Sequence, residues 1–299
     1  MMMRFLFALT LLSVLSCSRA SRAETAVKDP RANSLLWKIS GNGLAKPSYV
    51  FGTIHMICKD DFVWTNAMQK AFAASEKVCM EMDLDDPATT FAAAAGLMST
   101  DGKTLRDYFT PEEYQRLDAW MKKENGMGLE LLNMMKPAML LSLVSVRAGA
   151  CDSTLSYEIV LMEKAKSGKT PKEILGLEPV AEQLAVLNSI PADTIVKQVM
   201  AVVDHQDAGG DDEFGNLVAA YKTQNLTRLD SLMGISPTLQ SGDRAIMLDD
   251  RNARWIDRMA GYMKSHQTFF AVGAGHLPGT GGVLELLRKA GYTVEAVVE

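Results

Sequence analysis

The chain opens on a short apolar run, Phe5–Leu15, behind a single basic residue, Arg4. A bilayer span takes about 20 residues, so this run suits the hydrophobic region of a secretory leader over residues 1–16. Polar residues follow to position 33. Alternation then takes over. Leu35–Ser40 and Pro47–Ile54 read as strands joined by the turn signal Gly41-Asn42-Gly43, which predicts a hairpin. Trp64–Ser75 reads as a helix. Lys77–Leu84 reads as a strand, with Val78, Met80 and Met82 on one face and Cys79, Glu81 and Asp83 on the other. Residues 87 to about 168 carry helical patterning almost throughout, with Pro111 and Pro137 in first-turn positions. Lys172–Leu177 is a strand, and 179–265 is helical again with breaks near Pro191, Gly209-Gly210 and Pro237. Thr268–Val272, Gly281–Ala290 and Tyr292–Val298 read as strand, helix and strand.

Strands therefore gather at both ends of the chain and helices lie between them. The fold class is α/β: a central mixed sheet built from both chain ends, with large helical insertions over about 87–168 and 179–265, all within one domain spanning 34–299. No repeat period marks a solenoid, and no later segment is long enough to span a membrane.

Composition narrows the picture. The 299 residues are 47% apolar and 22% charged, ordinary globular usage. With 31 basic against 36 acidic residues and no basic stripe, nucleic acid is not an expected partner. Val14-Leu15-Ser16-Cys17 resembles a bacterial lipobox, in which Cys17 takes a lipid after cleavage; the plain alternative is cleavage after Ala20 or Ala23. The expectation is an exported cell-envelope protein, anchored through Cys17 on the periplasmic side or the cell surface, with residues 17–33 as a flexible tether. In an oxidising compartment the remaining Cys58, Cys79 and Cys151 allow at most one intramolecular disulfide. Cys58 and Cys151, both just outside predicted elements, are the expected pair, and Cys79, inside a strand pattern, is an expected buried thiol.

One pattern carries chemistry. Val50-Phe51-Gly52-Thr53-Ile54-His55 and Ala271-Val272-Gly273-Ala274-Gly275-His276 are both apolar strands running into Gly-x-x-His. Gly52 and Gly273 permit close backbone approach, and each histidine is carried past its strand end. Two further strands end in carboxylates, at Glu81 and Glu178. If the four strands are parallel neighbours, His55, Glu81, Glu178 and His276 converge beyond their carboxyl ends, where open α/β sheets bind ligands. Two imidazoles and one or two carboxylates suit a divalent metal, which activates water, with a remaining glutamate as base. A histidine at a strand end equally serves to cap a carbonyl.

The same residues carry a resemblance. Leu36-Trp37-Lys38-Ile39 with Tyr49-Val50-Phe51-Gly52-Thr53-Ile54-His55, Glu81 with Asp83, Gly176-Leu177-Glu178 leading to Gln183, Arg251-Asn252 with Trp255, and Gly273–Gly282 together resemble the TraB/PrgY/GumN family over about residues 35–299. That family includes the TIKI metal-dependent proteases and is similar in fold to erythromycin-esterase-like and haem-binding ChaN-like proteins. The resemblance implies roles for Gly52, His55, Glu81, Gly273 and His276. The expected function is metal-assisted hydrolysis of a peptide or related amide or ester bond, with Mn, Co or Zn. His55 and His276 would be ligands, Glu81 a ligand or base, and Glu178 and Arg251 supporting catalytic residues. The alternative is a haem- or peptide-binding envelope protein without turnover. Arg251 reads either as a carboxylate clamp or as an ion pair with Asp249 or Asp250. Tyr157-Glu158 reads as a helix start with capping or surface placement, His205 as part of a solvated acidic stretch, and His266 as a surface residue. No His-Glu-x-x-His, Walker loop, Rossmann fingerprint or Gly-x-Ser-x-Gly occurs.

Overall fold

The computed structural model describes residues 33–145, 151, 153–207, 213–235 and 244–298. The expected leader, Cys17, most of the tether, Gly209-Gly210 and Pro237 lie outside the described residues, as does the side chain of His205.

Six strands form one mixed sheet: β1 (Leu36–Ser40), β2 (Ser48–Thr53), β4 (Lys77–Met80), β6 (Glu173–Gly176), β7 (Thr268–Gly273) and β8 (Thr293–Ala296), in the order β6-β4-β7-β2-β1-β8. β1 and β2 form the antiparallel hairpin. Its turn has φ of 78°, 48° and 77° at Gly41, Asn42 and Gly43, left-handed values that glycine and asparagine tolerate. β8 adds antiparallel to β1, while β6, β4, β7 and β2 run parallel. β7 lies between two strands and under helices, so its apolar run Thr268–Val272 is buried without alternation.

Register matters most here. Thr53 pairs with Gly273, and Met80 pairs with both Ala271 and Gly176. The four parallel strands thus end nearly level, and the residues just beyond them share one rim. β4 stops at Met80 rather than Leu84, and Val78, Cys79 and Met80 are all buried. Both faces of this strand are buried, which removes the two-faced character predicted for it, and Glu81 and Asp83 belong to the loop. Cys79 is a buried free thiol whose pKa burial raises.

The helices follow local rules. The longest of the first half, α3 (Pro111–Asn125), has Pro111 in its first turn, the reciprocal pair Thr110/Glu113 at its start and Gly126 at φ 70° after its end. It packs with α4 (Pro137–Ser145) and α7 (Ala192–Asp207) around Leu117, Trp120, Leu140, Val199 and Val203, a core separate from that of the sheet. The remaining helices are α1 (Asn66–Ala74), α2 (Pro87–Gly96), α5 (Tyr157–Ser167), α6 (Val180–Ser189), α8 (Glu213–Lys222), α9 (Leu226–Ile235), α10 (Asp250–Ser265) and α11 (Val283–Lys289). Among the described residues no single helix is long and apolar enough to cross a membrane; α6 and α7 together reach the length but bend by 81° at Pro191.

Residues 87–168 are not all helical. A two-residue strand β5 (Thr154–Leu155) pairs with β3 (Ile57–Cys58), and Cys58 is disulfide-bonded to Cys151 with Cα atoms 5.8 Å apart. Strands of two residues have no period to detect, and their pairing depends on contacts about a hundred positions away. The disulfide closes a long loop in the unfolded chain, so reducing it is expected to lower stability by about 2–5 kcal/mol. A Cys58→Ser/Cys151→Ser variant should match the reduced protein in thermal denaturation.

Candidate functional site

Glu81 is the first residue past β4. Its Oε1 accepts a hydrogen bond from the backbone N–H of Gly273 at 2.8 Å. A Cβ at Gly273 would sit 3.3 Å from that oxygen, so glycine leaves room for the approach. Gly52 serves another contact: a Cβ there would lie 2.8 Å from Leu277 and 3.0 Å from the Ala274 Cα. Its absence lets the turn after β7 pack over β2. Glu178, two residues past β6, is fully buried at its side chain, and its N–H donates to the Glu81 carbonyl at 2.9 Å.

Arg251 joins these groups from α10. Its Nη2 lies 2.6 Å from Glu81 Oε2 and 2.6 Å from Glu178 Oε1, and its Nε is 3.0 Å from Glu178 Oε1. Nη1 donates to the Met247 carbonyl at 3.1 Å and faces His276 Nε2 at 3.3 Å. All five N–H directions of the guanidinium have acceptors. The Met247 carbonyl belongs to a widened helical turn, Ala245–Asp249, that precedes α10; such turns recur at functional sites. One helical turn after Arg251, the Trp255 Nε1–H donates to Glu178 Oε2 at 3.1 Å. The Trp255 ring lies against both His276, at 4.4 Å between centroids, and the Arg251 guanidinium, at 4.9 Å. Arg251 thus pairs with carboxylates from two strand ends, and not with Asp249 or Asp250.

His276 is buried at the end of the turn Ala274–His276. Asn252 fixes its tautomer. The Asn252 amide nitrogen donates to the carbonyls of His276 and Gly281 at 3.3 and 2.9 Å, so its Oδ1 is the acceptor 2.6 Å from His276 Nδ1. The proton is on Nδ1. Nε2 keeps its lone pair and lies 3.8 Å from Glu81 Oε1. Burial lowers the His276 pKa to about 4, against the pull of Glu81 and helped by Arg251. Burial acts to raise Glu81, but the charges of His276, Arg251 and His55 and the Gly273 N–H outweigh it and hold the carboxyl at about 2.

His55 stands apart. Its side chain is 74% exposed, and its Nδ1 lies 3.0 Å from Glu158 Oε1. That bond raises the imidazole well above its ordinary pKa, with desolvation opposing. The two Gly-x-x-His motifs are not equivalent in the sheet: Gly52 faces Val272 and Thr53 faces Gly273, a one-residue offset. After β2 the chain leads outward to β3, whereas after β7 it turns inward. Glu81, Glu178, Arg251 and His276 touch one another, and His55 touches none of them by hydrogen bond. Among the described residues no three His, Cys, Asp or Glu side chains lie close enough together to hold a metal ion. Glu158, read from the sequence as capping or surface, is instead the partner of His55, and Tyr157 beside it is fully buried. The spacing of Glu158 from His55, 103 positions, offers no local signal. His266 is at the surface beside Glu76, at 3.3 Å.

Two outcomes follow from this geometry. Glu178→Ala leaves buried Arg251 donors unpaired and is expected to destabilise by about 3–5 kcal/mol, measured by chemical denaturation; Arg251→Lys should also destabilise, because a single ammonium cannot serve the same acceptors. His276, held neutral down to about pH 4 in the fold, binds fewer protons than in the unfolded chain between that pH and its ordinary value near 6.5. Stability should therefore fall as pH is lowered through this window, and a His276→Gln variant should lose that part of the slope.

The model of the TraB/PrgY/gumN family matches residues 35–296. The chain is 27% identical to Metalloprotease TIKI1 of Danio rerio over 88% of its own length and 63% of that protein's. It is 26% identical to Metalloprotease TIKI2 of Xenopus tropicalis, over 88% and 60% of the two lengths. For Metalloprotease TIKI1 of Homo sapiens the identity is 25%, over 97% and 68%. The chain spans about three fifths of the length of the first two relatives. No solved structure matches it. With the family model covering the sheet from β1 to β8 and every residue of the rim, the chain belongs to the TraB/PrgY/gumN family.

Proposed function

We propose that the protein is a metal-dependent hydrolase of peptide or related amide or ester bonds, with His55, His276 and Glu81 holding a divalent ion, Mn, Co or Zn. The observation that carries this reading is the state of the two imidazoles. Each is held at Nδ1 by an oxygen, Asn252 Oδ1 for His276 and Glu158 Oε1 for His55, which puts the lone pair on Nε2; that of His276 faces Arg251 Nη1 at 3.3 Å, a contact an incoming ion would replace. Metal-binding histidines are oriented in this way by partners behind the ring. The ionised Glu81 carboxylate, 3.8 Å from His276 Nε2, adds an oxygen donor; the residue types suit a divalent ion, while the three side chains do not surround one point in the described structure. The names of the metalloprotease relatives support the same class of activity.

A bound divalent ion supplies Lewis acidity and lowers the pKa of a water. The chain's own residues set the stage for it. Arg251 and Glu178 hold Glu81 in place. Gly273 fixes one Glu81 oxygen through its N–H. His55, exposed at the rim, must give up a proton before it can coordinate, so metal affinity rises with pH. Export and a lipid anchor at Cys17 complete the proposal: a hydrolase of the cell envelope, tethered through residues 17–33 and acting on peptides or small molecules.

The test is metal content and turnover of the purified protein. Uptake of Mn, Co or Zn with hydrolysis of a peptide library supports the reading. Glu81→Gln should then lower kcat/KM by at least about 100-fold, and His276→Ala should abolish metal uptake. No turnover in either protein, with ligand retained by wild type and lost by His55→Ala, overturns it in favour of a binding protein.

A further inference from the structure

We propose that Glu158 is the positioning residue for His55, fixing the ring through Nδ1–H and presenting Nε2 to the rim. As a statement about metal binding this rests on the functional reading above; as a statement about the ring it stands on geometry alone.

His55 lies two residues beyond β2, outside any strand, so no sheet ladder orients its side chain. What reaches it is a carboxylate from the first turn of α5. Glu158 is held on both oxygens. Oε1 receives His55 Nδ1 at 3.0 Å and the Thr53 hydroxyl at 3.3 Å, and Oε2 receives the Ser156 hydroxyl at 2.7 Å. Ser156 caps α5, and Tyr157 next to Glu158 is fully buried, with its hydroxyl bonded to both the carbonyl and the N–H of Val63 at 2.8 and 2.9 Å. The Tyr157 ring stacks on Phe62 at 4.4 Å. The carboxylate is therefore fixed by its own backbone and by two hydroxyls, and is 17% exposed where the ring it holds is 74% exposed.

The two segments meet because they are stitched together between these residues. Ile57 pairs with Leu155 and Cys58 with Thr154, Lys59 N–H donates to the Ser153 carbonyl at 3.0 Å, and the Cys58–Cys151 disulfide closes the ribbon. His55 enters this ribbon and Glu158 leaves it. An ionised carboxylate only accepts, so the ring nitrogen facing it must carry hydrogen. The neutral ring is then the Nδ1–H tautomer, as His276 is against Asn252, with the lone pair on Nε2 in both rings.

The experiment compares wild type with Glu158→Ala and Glu158→Gln, each first checked for a cooperative thermal transition. Ring nitrogen NMR of 15N-histidine protein, metal-free and at a pH where His55 is neutral, reads the tautomer. Titration calorimetry with Mn2+ reads the affinity. Wild type is expected to show Nδ1–H at His55. Glu158→Ala should move to the Nε2–H form and lose about 10–100-fold in Mn2+ affinity. Glu158→Gln, which keeps an acceptor oxygen, should hold the tautomer and most of the affinity. An Nε2–H ring in wild type, or an unchanged tautomer in Glu158→Ala, overturns the proposal. A tautomer that moves as expected in a protein that binds no Mn2+ upholds Glu158 as the residue that positions His55 and overturns the metal reading alone.

Discussion

Two carboxylates brought out of water at neighbouring strand ends need a cation between them, and Arg251 is that cation. Glu81 and Glu178 arrive on adjacent parallel strands, β4 and β6, and a single guanidinium spans both. Every other contact of the rim is referred to it. Trp255 stacks beside the guanidinium and bonds to Glu178; His276 lies between Trp255 and Glu81; Asn252, the next residue along α10, holds His276 from behind. A planar donor with five N–H groups satisfies this arrangement where a lysine has too few directions. The site is thus an electrostatic assembly before it is a catalytic one.

That assembly depends in turn on the level ends of four parallel strands. A shift of one residue in a strand turns each side chain to the opposite face. The offset between the two Gly-x-x-His motifs shows the effect on a small scale. Identical spacing after β2 and β7 produces one buried imidazole locked to Asn252 and one exposed imidazole that needs its own anchor. The glycines differ in duty for the same reason, Gly273 admitting a carboxylate and Gly52 admitting a turn of backbone.

Much of this was legible in the chain. Apolar runs gave the main strands, the Gly-Asn-Gly turn gave the hairpin, and the placing of His276, Glu81 and Glu178 after strands pointed to a common rim. The end of β4 was not legible, because Met82 and Leu84 continue an apolar pattern that the sheet does not use. Nor was the role of Glu158, which sits in an ordinary helix start and acquires its partner from a segment 103 positions away. Arg251 was read as a clamp or as a local ion pair; its neighbours Asp249 and Asp250 are closer in sequence, and only the fold selects the distant carboxylates. Long-range pairings of this kind leave no periodic trace.

The β1–β2 hairpin, inside the β8 edge, also sets where the described chain begins. β1 runs opposite to β2, with Leu36 beside Phe51, and β8 runs opposite to β1, with Ala296 beside Trp37. Ser34 and Val297 are hydrogen-bonded to each other, so the first and last described residues lie together, at the same end of the sheet as Glu81 and His276. Both described ends of the chain therefore emerge at the rim end of the sheet, two strands from β7, and the opposite end is left to the turn Gly41-Asn42-Gly43.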